Sequence, residues 1–196
     1  MKPSQYVEAT RVPELKVVLR KWIRVLKKFQ AIQDLPWNYR ERAQVGFFAG
    51  AAWLSGAVAL EEWSATKGVE GNERKGRCDL WIDICDYHIE AKHMWCRITG
   101  NLAKEKKSIE KTVESAKECA QHLKCPKESK LAFTFLAPFY PPGKQNSLSE
   151  DLEAWLSMVC SIEHEAVAWL LPRASELSKQ EGKNLGAGIL LLISKP

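Results

Sequence analysis

Three residues in one short segment of this chain have the types and spacing of a metal-dependent hydrolytic site. Asp79 lies in a run of alternating polar and apolar residues, and Glu90 and Lys92 lie two residues apart in the next such run. Residues two apart on a β-strand point to the same face. Two carboxylates on one face can hold a hard divalent cation, and a lysine beside them can act on an attacking water.

A turn at Cys85-Asp86 would join these two runs into a hairpin. That turn places Asp79 opposite Lys92 and diagonal to Glu90, at about 7–8 Å between side-chain carbons. The same register predicts one polar and one apolar face. The polar face contains Asp79, Trp81, Asp83, His88, Glu90 and Lys92, and the apolar face contains Leu80, Ile82, Ile84, Tyr87, Ile89 and Ala91.

The tripeptide Glu-x-Lys recurs elsewhere in the chain, for example at Glu14 and at Glu105, in helical or loop contexts. Only Glu90-Ala91-Lys92 lies in a segment rich in β-branched and aromatic residues that follows a candidate strand with an aspartate. Together with Asp79, it resembles the motif of the PD-(D/E)XK nuclease superfamily. Cys78 stands where that motif usually has a proline.

The resemblance implies a metal-dependent endonuclease in which Asp79, Glu90 and Lys92 are catalytic. Asp79, Glu90 and the backbone carbonyl of Ala91 would bind Mg²⁺, with Mn²⁺ as a substitute, and Ca²⁺ would bind without supporting turnover. Lys92 would orient or deprotonate the attacking water and add positive charge near the phosphate. The superfamily often recruits a further acid, and Glu41 or Glu62 is the candidate here.

The composition favours a folded protein with an anionic partner. The chain has 196 residues, of which 45% are hydrophobic, and its formal net charge is +5. The six cysteines lack the paired spacing of a zinc site, and no secretion signal is visible at the N-terminus, so reduced thiols in a cytoplasmic protein are expected. Residues 43–60 are uncharged, but their alanine and glycine content favours a buried core helix over a membrane span.

A basic amphipathic helix is predicted at residues 12–33. Its apolar residues share one face, and its cationic residues lie elsewhere on the helix. Contact of that basic surface with nucleic-acid phosphates and simple solvation are both consistent with the pattern. The candidate nucleic-acid contacts are Lys16, Arg20, Arg24 and Lys27 on this helix and Arg77 beside the motif.

Periodicity predicts an α/β protein. Further helices are expected at 38–55 with Asn38 as its cap, at 99–124, at 148–161 with a capping box of Ser147 and Glu150, and at 173–182. Strands are expected at 57–67, on both sides of the Cys85-Asp86 turn, at 131–138, at 166–171 and at 188–194, with a loop at 68–77. This order agrees with the restriction-endonuclease-like αβββαβ core that the resemblance implies, a mixed sheet flanked by helices with an extra N-terminal helix and C-terminal strands. Residues 1–35 would form the N-terminal helix packed on the body, and residues 36–196 a single nuclease domain.

Two functions follow as expectations. The first is hydrolysis of phosphodiester bonds, with DNA the favoured substrate, in restriction, phage defence, repair or mobile-element biology. The second is a catalytically weak or inactive nuclease-fold module for nucleic-acid binding or complex assembly. Because one site cuts one strand, double-strand cleavage would require a homodimer, with the helices at 12–33 and 99–124 as candidate interfaces.

Overall fold

A mixed β-sheet with helices on both faces organises this chain. The computed structural model describes residues 4–32, 34–69, 71–98, 101–141, 148–172 and 185–196. The helices are α1 (Lys16–Ala31), α2 (Glu41–Trp53), α3 (Leu102–Gln121) and α4 (Leu148–Val159). The strands are β1 (Gln5–Glu8), β2 (Ala59–Val69), β3 (Asn72–Ile82), β4 (Tyr87–Arg97), β5 (Lys130–Tyr140), β6 (Ala166–Leu170), β7 (Leu185–Gly186) and β8 (Ile189–Ser194). The predicted α/β class with a mixed sheet and flanking helices is confirmed.

The strand order in the sheet is β1-β6-β8-β5-β4-β3-β2, and β7 makes a short pairing with β5. Strands β4 and β5 run parallel, whereas the other neighbouring pairs are antiparallel. A parallel pair needs a long crossover, and α3 provides it between β4 and β5. The Asn101 side chain accepts a hydrogen bond from the Lys104 backbone N–H at 3.1 Å and so caps the start of this crossover helix.

Among the described residues, the two large apolar cores lie on opposite faces of the sheet, and three buried alanines form a small third cluster. On one face α1 and α2 bury residues such as Trp22 and Phe48 against the strands, and on the other face α3 and α4 bury residues such as Ile109 and Trp155. Strand β8 contributes to both, because Leu191 faces the first core and its neighbours Leu190 and Leu192 face the second. The apolar side of α1 therefore belongs to the same core as the sheet.

The central helices and strands were predicted well, with small shifts at their ends. Strand β2 is found where residues 57–67 were expected to extend, and β5 is buried along almost its whole length. Helix α2 packs Val45, Phe48 and Ala52 into the core, as expected for the uncharged segment. Among the described helices, none combines the length and apolar character needed to cross a bilayer.

Four local predictions were wrong. Residues 72–77 belong to β3 rather than to a loop, because an exposed hairpin needs backbone pairing but no apolar side chains. Asn38 does not cap α2; it ends a short 3-10 turn that begins at Pro36, and the helix starts after the extended residue Arg40. Residues 13–15 likewise form a 3-10 turn before α1, and strand β1 was not predicted. The predicted cap at Ser147 and helix at 173–182 lie outside the described residues.

Candidate metal-dependent active site

Strands β3 and β4 pair over a very short ladder. Leu80 pairs with Ile89, Trp81 with His88, and Ile82 with Tyr87. The connecting turn spans residues 83–86, so the predicted two-residue turn and the predicted pairing of Asp79 with Lys92 are wrong. The observed register is shifted by two residues, and continuing it would bring Asp79 across from Glu90. A shift of two keeps each side chain on its predicted face.

The turn is unusual because two consecutive residues other than glycine have positive φ angles. Cys85 has a φ of 52° and Asp86 one of 51°. Asp83 accepts a hydrogen bond from the backbone N–H of Val58 at 2.9 Å, which fixes this turn to the start of β2. The Asp86 carboxylate accepts the indole N–H of Trp81 at 2.6 Å and lies 3.5 Å from the His88 ring. These contacts give Asp83 and His88 structural partners at the turn, away from the acids of the motif.

The two strands separate at Asp79. Its carboxylate accepts a hydrogen bond from the Ala91 backbone N–H at 2.7 Å, so a side chain satisfies a donor that would otherwise pair with a strand. The N–H and C=O of one strand residue project to the same side. Strand geometry therefore predicts that the Ala91 carbonyl projects into the same gap beside Asp79.

The other neighbour of β3 is also irregular at this level. Glu61 pairs with Leu80 and Trp63 with Cys78, but Glu62 between them has a φ of 53°. A non-glycine residue in this left-handed region is uncommon, and such backbone often accompanies functional sites. The sheet is thus distorted on both sides of Asp79.

Glu90 is buried, which differs from the predicted exposed polar face. Its residue is 3% exposed, and the Lys67 ammonium lies 2.7 Å from one carboxylate oxygen. Burial is the main cause that raises the pKa of Glu90 to about 7; the negative charge of Asp79 adds to it, and Lys67 and Lys92 oppose it. Lys67 reaches the carboxylate from β2, in a hairpin whose fold the sequence did not predict.

The structure distinguishes the two candidates for the additional acid. Glu41, the first residue of α2, is about half-buried, and burial raises its pKa. Lys92 lowers that pKa, Asp79 raises it, and the His93 backbone also lowers it, so Glu41 lies beside the motif. Glu62 instead accepts hydrogen bonds from Arg42 and Arg77, which lower its pKa.

Lys92 lies among these acids. It is on β4, partly exposed, and its positive charge lowers the pKa of both Glu41 and Glu90. Strand β5 pairs with β4 at Thr134 in this position. The structure therefore brings together four predicted residues: Glu41, Asp79, Glu90 and Lys92.

The oxygen donors of this group suit a hard divalent cation. Mg²⁺ is commonly bound by one or two carboxylates and keeps several waters, and Asp79, Glu90 and the Ala91 carbonyl supply such donors. Within the described part of the chain, no group of three or more His, Cys, Asp or Glu side chains is arranged to hold a metal. The Glu90 carboxylate already has the Lys67 ammonium as its counter-ion.

Two residues of the predicted basic surface of α1, Arg20 and Arg24, lie beside β1 rather than beside this group. Arg20 and Arg24 line a groove of about 370 Å³ beside Gln5, Tyr6 and Val7 of β1. Strands β1 and β3 are separated by four others in the sheet order, which corresponds to about 24 Å at the usual strand spacing. Arg77, by contrast, is on β3 close to Asp79, where it pairs with Glu62 at 3.3 Å.

Two cations near the site were not predicted. Lys67 contacts Glu90, and Arg42 contacts Glu62 at 2.9 Å. Arg42 follows Glu41 directly, so its position next to a candidate acid was a usable signal. Lys67 lies at the end of the predicted strand at 57–67, but no sequence pattern directs it toward Glu90, because the adjoining residues 68–77 are predicted to be a loop rather than the paired strand β3.

The raised pKa of Glu90 predicts how metal-free stability depends on pH. A carboxyl whose pKa is about 7 when folded and near 4.5 when unfolded stabilises the fold fully at low pH, and this contribution is lost as the pH rises through 7. Burial and the charge of Arg40 lower the pKa of His93 to about 4, which acts in the opposite sense. Comparing Glu90→Gln with the wild type cancels the histidine contribution.

We expect the free energy of unfolding of Glu90→Gln to rise relative to the wild type by about 3 kcal/mol between pH 4.5 and pH 8. Urea unfolding in a chelator at the two pH values measures this difference. If the difference in the free energy of unfolding between Glu90→Gln and the wild type is the same at both pH values, Glu90 is not a buried acid with a raised pKa.

Comparisons with known proteins complete the description of this site. Protein-family models, curated proteins and solved structures all give no match to the chain. Any function assigned to the group around Asp79 therefore depends on the chain's own residues and their geometry.

Proposed function

We propose that this protein is a metal-dependent nuclease that hydrolyses phosphodiester bonds in DNA, built on a restriction-endonuclease-like core. The chain order supports it, since α2, β2, β3, β4, α3 and β5 follow one another as helix, three strands, helix and strand. This is the αβββαβ order that the resemblance to the PD-(D/E)XK superfamily implies. The motif acids lie on the second and third of those strands.

The hydrogen bond between Asp79 and the Ala91 backbone is the observation that carries this proposal. It holds a carboxylate against the centre of the Glu90-Ala91-Lys92 segment, although the two lie on different strands. Beyond the effect of burial, Lys92 lowers and Asp79 raises the pKa of both Glu41 and Glu90, so the four residues are close to one another. In a solvent-exposed hairpin without a functional site, we would not expect Glu90 to be buried at the same point where the pairing of β3 and β4 ends.

The proposed roles follow from the chemistry of each group. Asp79, Glu90 and the Ala91 carbonyl would hold Mg²⁺ or Mn²⁺, with Glu41 as a further acid. A bound divalent cation lowers the pKa of a water and offsets negative charge on the reacting phosphate. Lys92 orients or deprotonates the attacking water and places positive charge where the phosphate becomes more negative.

A cleavage assay tests the proposal. Supercoiled plasmid and single-stranded DNA are incubated with the protein and Mg²⁺, Mn²⁺, Ca²⁺ or a chelator, with RNA as a second substrate. We expect cleavage with Mg²⁺ and Mn²⁺ and none with Ca²⁺ or the chelator, because the larger Ca²⁺ organises the water poorly. A monomer is expected to nick plasmid first. Absence of cleavage of every substrate under all conditions would contradict the nuclease function.

A nuclease-fold module that binds without cutting is the second candidate. The pairing of Glu90 with Lys67 favours it, because the ammonium already neutralises one of the acids that a metal would need. This module would bind DNA with the same affinity in chelator and in Mg²⁺, and no product would form. Binding titrations run beside the cleavage assay separate the two functions.

The basic surface of α1 gives a prediction about affinity. Changing Lys16, Arg20, Arg24 and Lys27 together to glutamine should weaken DNA binding and reduce its salt dependence by roughly one unit of slope for each lost phosphate contact. The rate at saturating DNA should stay nearly unchanged, because none of these four residues has a role in the proposed chemistry. Titrations at several salt concentrations with single-turnover rates measure both. A variant with wild-type affinity and slope would show that the surface is merely solvated.

A further inference from the structure

Lys67 is a cation in the candidate site that belongs to no part of the motif. Its ammonium lies 2.7 Å from a Glu90 oxygen, and the two side chains are 21% and 4% exposed. The resemblance assigns a role to Lys92 alone among lysines. Lys67 comes from a different strand, 23 positions before Glu90, and needs a separate explanation.

The backbone around Lys67 is held firmly in place. The Gly68 N–H donates to the His122 carbonyl, and the Lys124 N–H donates to the Thr66 carbonyl, each at 2.9 Å. These bonds fix the C-terminal end of β2 to the residues that follow α3. The ammonium is therefore directed at Glu90 by a braced strand.

Space for the lysine stem is also provided. A β-carbon at Gly76, on the paired strand β3, would lie 3.2 Å from the Lys67 Cδ, which is closer than ordinary contacts allow. The missing side chain at Gly76 lets the stem pass toward Glu90. Three independent features thus place Lys67 against Glu90: the hydrogen-bonded backbone of β2, the absence of a side chain at Gly76, and the buried ion pair itself.

We infer that Lys67 is a positioning residue that holds the Glu90 carboxylate in the metal-free protein and competes with the divalent cation for it. The inference rests on the proposed nuclease function. A buried carboxylate without a counter-charge is costly, and the Lys67 ammonium supplies that charge. A metal bound to Glu90 needs the same oxygen lone pairs, and two cations on one carboxylate repel each other.

Competition has a reciprocal consequence. If the ammonium weakens metal binding, the metal weakens the ion pair by the same factor. Metal binding therefore releases Lys67 from Glu90. The ammonium then lies beside the site with no carboxylate partner, where a phosphate can attract it.

Lys67→Met is the test, because methionine keeps most of the stem and removes the charge. Calorimetric titration with Mn²⁺ should show binding about tenfold tighter than in the wild type, as expected for a coupling of about 1.4 kcal/mol. The melting temperature in chelator should fall, and saturating Mn²⁺ should remove most of that difference. A lysine with only a structural role could not tighten metal binding when removed.

The chain offers a matched control. Lys124, in the segment after α3, pairs with Glu73 of β3 at 3.1 Å, and the two side chains are 34% and 50% exposed. Lys124→Met removes one lysine charge and one ion pair while leaving Glu90 unaffected. Its Mn²⁺ affinity should equal that of the wild type, and a tenfold gain in this control would overturn the inference by showing a general charge effect.

Other outcomes are equally decisive. Unchanged or weaker Mn²⁺ binding by folded Lys67→Met would overturn the competition, even if the wild type cleaves DNA. If that variant does not fold, a crystal structure of the wild type with Mn²⁺ decides, since competition requires the Lys67 ammonium to leave Glu90. If the Lys67 ammonium stays 2.7 Å from a Glu90 carboxylate that also binds Mn²⁺, the proposed competition is refuted. If the wild type binds no Mn²⁺, the proposed function fails and this inference fails with it.

Discussion

Asp79→Asn is expected to lower the rate of Mg²⁺-dependent cleavage by at least about 100-fold. Removing a single group that stabilises charge in a transition state commonly lowers kcat by this factor in enzymes. Asparagine keeps an oxygen that can accept the Ala91 N–H, so the separation of β3 and β4 should persist. It removes the negative charge that a metal needs. Single-turnover rates on a labelled duplex, with calorimetric Mn²⁺ binding, measure the two effects together.

Asp86→Asn is the control for this variant. Asp86 is another acid of the same hairpin, and its carboxylate contacts Trp81 and His88 at the turn. We expect its cleavage rate and Mn²⁺ affinity to match the wild type. If Asp79→Asn binds Mn²⁺ with the wild-type affinity, Asp79 is not a ligand of the metal.

Glu90→Gln should give the same loss of cleavage but a different stability profile. The sequence pattern predicts that both acids lie on the polar face of the hairpin. Glu90 is instead buried and paired with Lys67, so its removal leaves a lysine without its counter-charge. Rates for this variant must be compared at a pH where circular dichroism shows it to be folded.

The sequence predicted which residues share a face but not how the strands align. Alternation along β3 and β4 assigned Leu80 and Ile89 to the core and Asp79 and Glu90 to the other face, and a two-residue shift preserves that assignment. The alignment itself depends on the turn. Cys85 and Asp86 both adopt positive φ, and neither is a residue type that signals this conformation as glycine does.

Residues joined by long-range contacts were the hardest to predict. Glu41 was one of two candidates, and sequence spacing could not choose between it and Glu62, because the choice depends on where α2 begins relative to β4. Lys67 is in the predicted strand at 57–67, but its contact with Glu90 depends on the hairpin with β3, where glycines and polar residues at 68–77 indicate a loop. The polar strand that exists there is stabilised by backbone pairing and by docking on residues 122–124, and neither leaves an apolar pattern.

Lys92→Ala separates chemistry from affinity. If Lys92 acts on the attacking water and on charge that develops during the reaction, its loss should reduce the rate at saturating DNA by about 10²–10⁴-fold. Affinity for DNA should fall by no more than the share of one phosphate contact, because an interaction made mainly in the transition state lowers kcat and kcat/KM together. Single-turnover rates across DNA concentrations give both quantities.

Lys130→Ala provides the comparison for this last variant, since Lys130 is also partly buried, lies at the start of the neighbouring strand β5, and donates to the Gln121 carbonyl at 3.0 Å. It has no place in the proposed chemistry, so its saturated rate should stay near that of the wild type. Lys92 is expected to differ from it in rate and to resemble it in DNA affinity. If Lys92→Ala cuts at the wild-type rate when saturated, Glu90-Ala91-Lys92 is not a nuclease site, and the binding module becomes the better account of the buried acids.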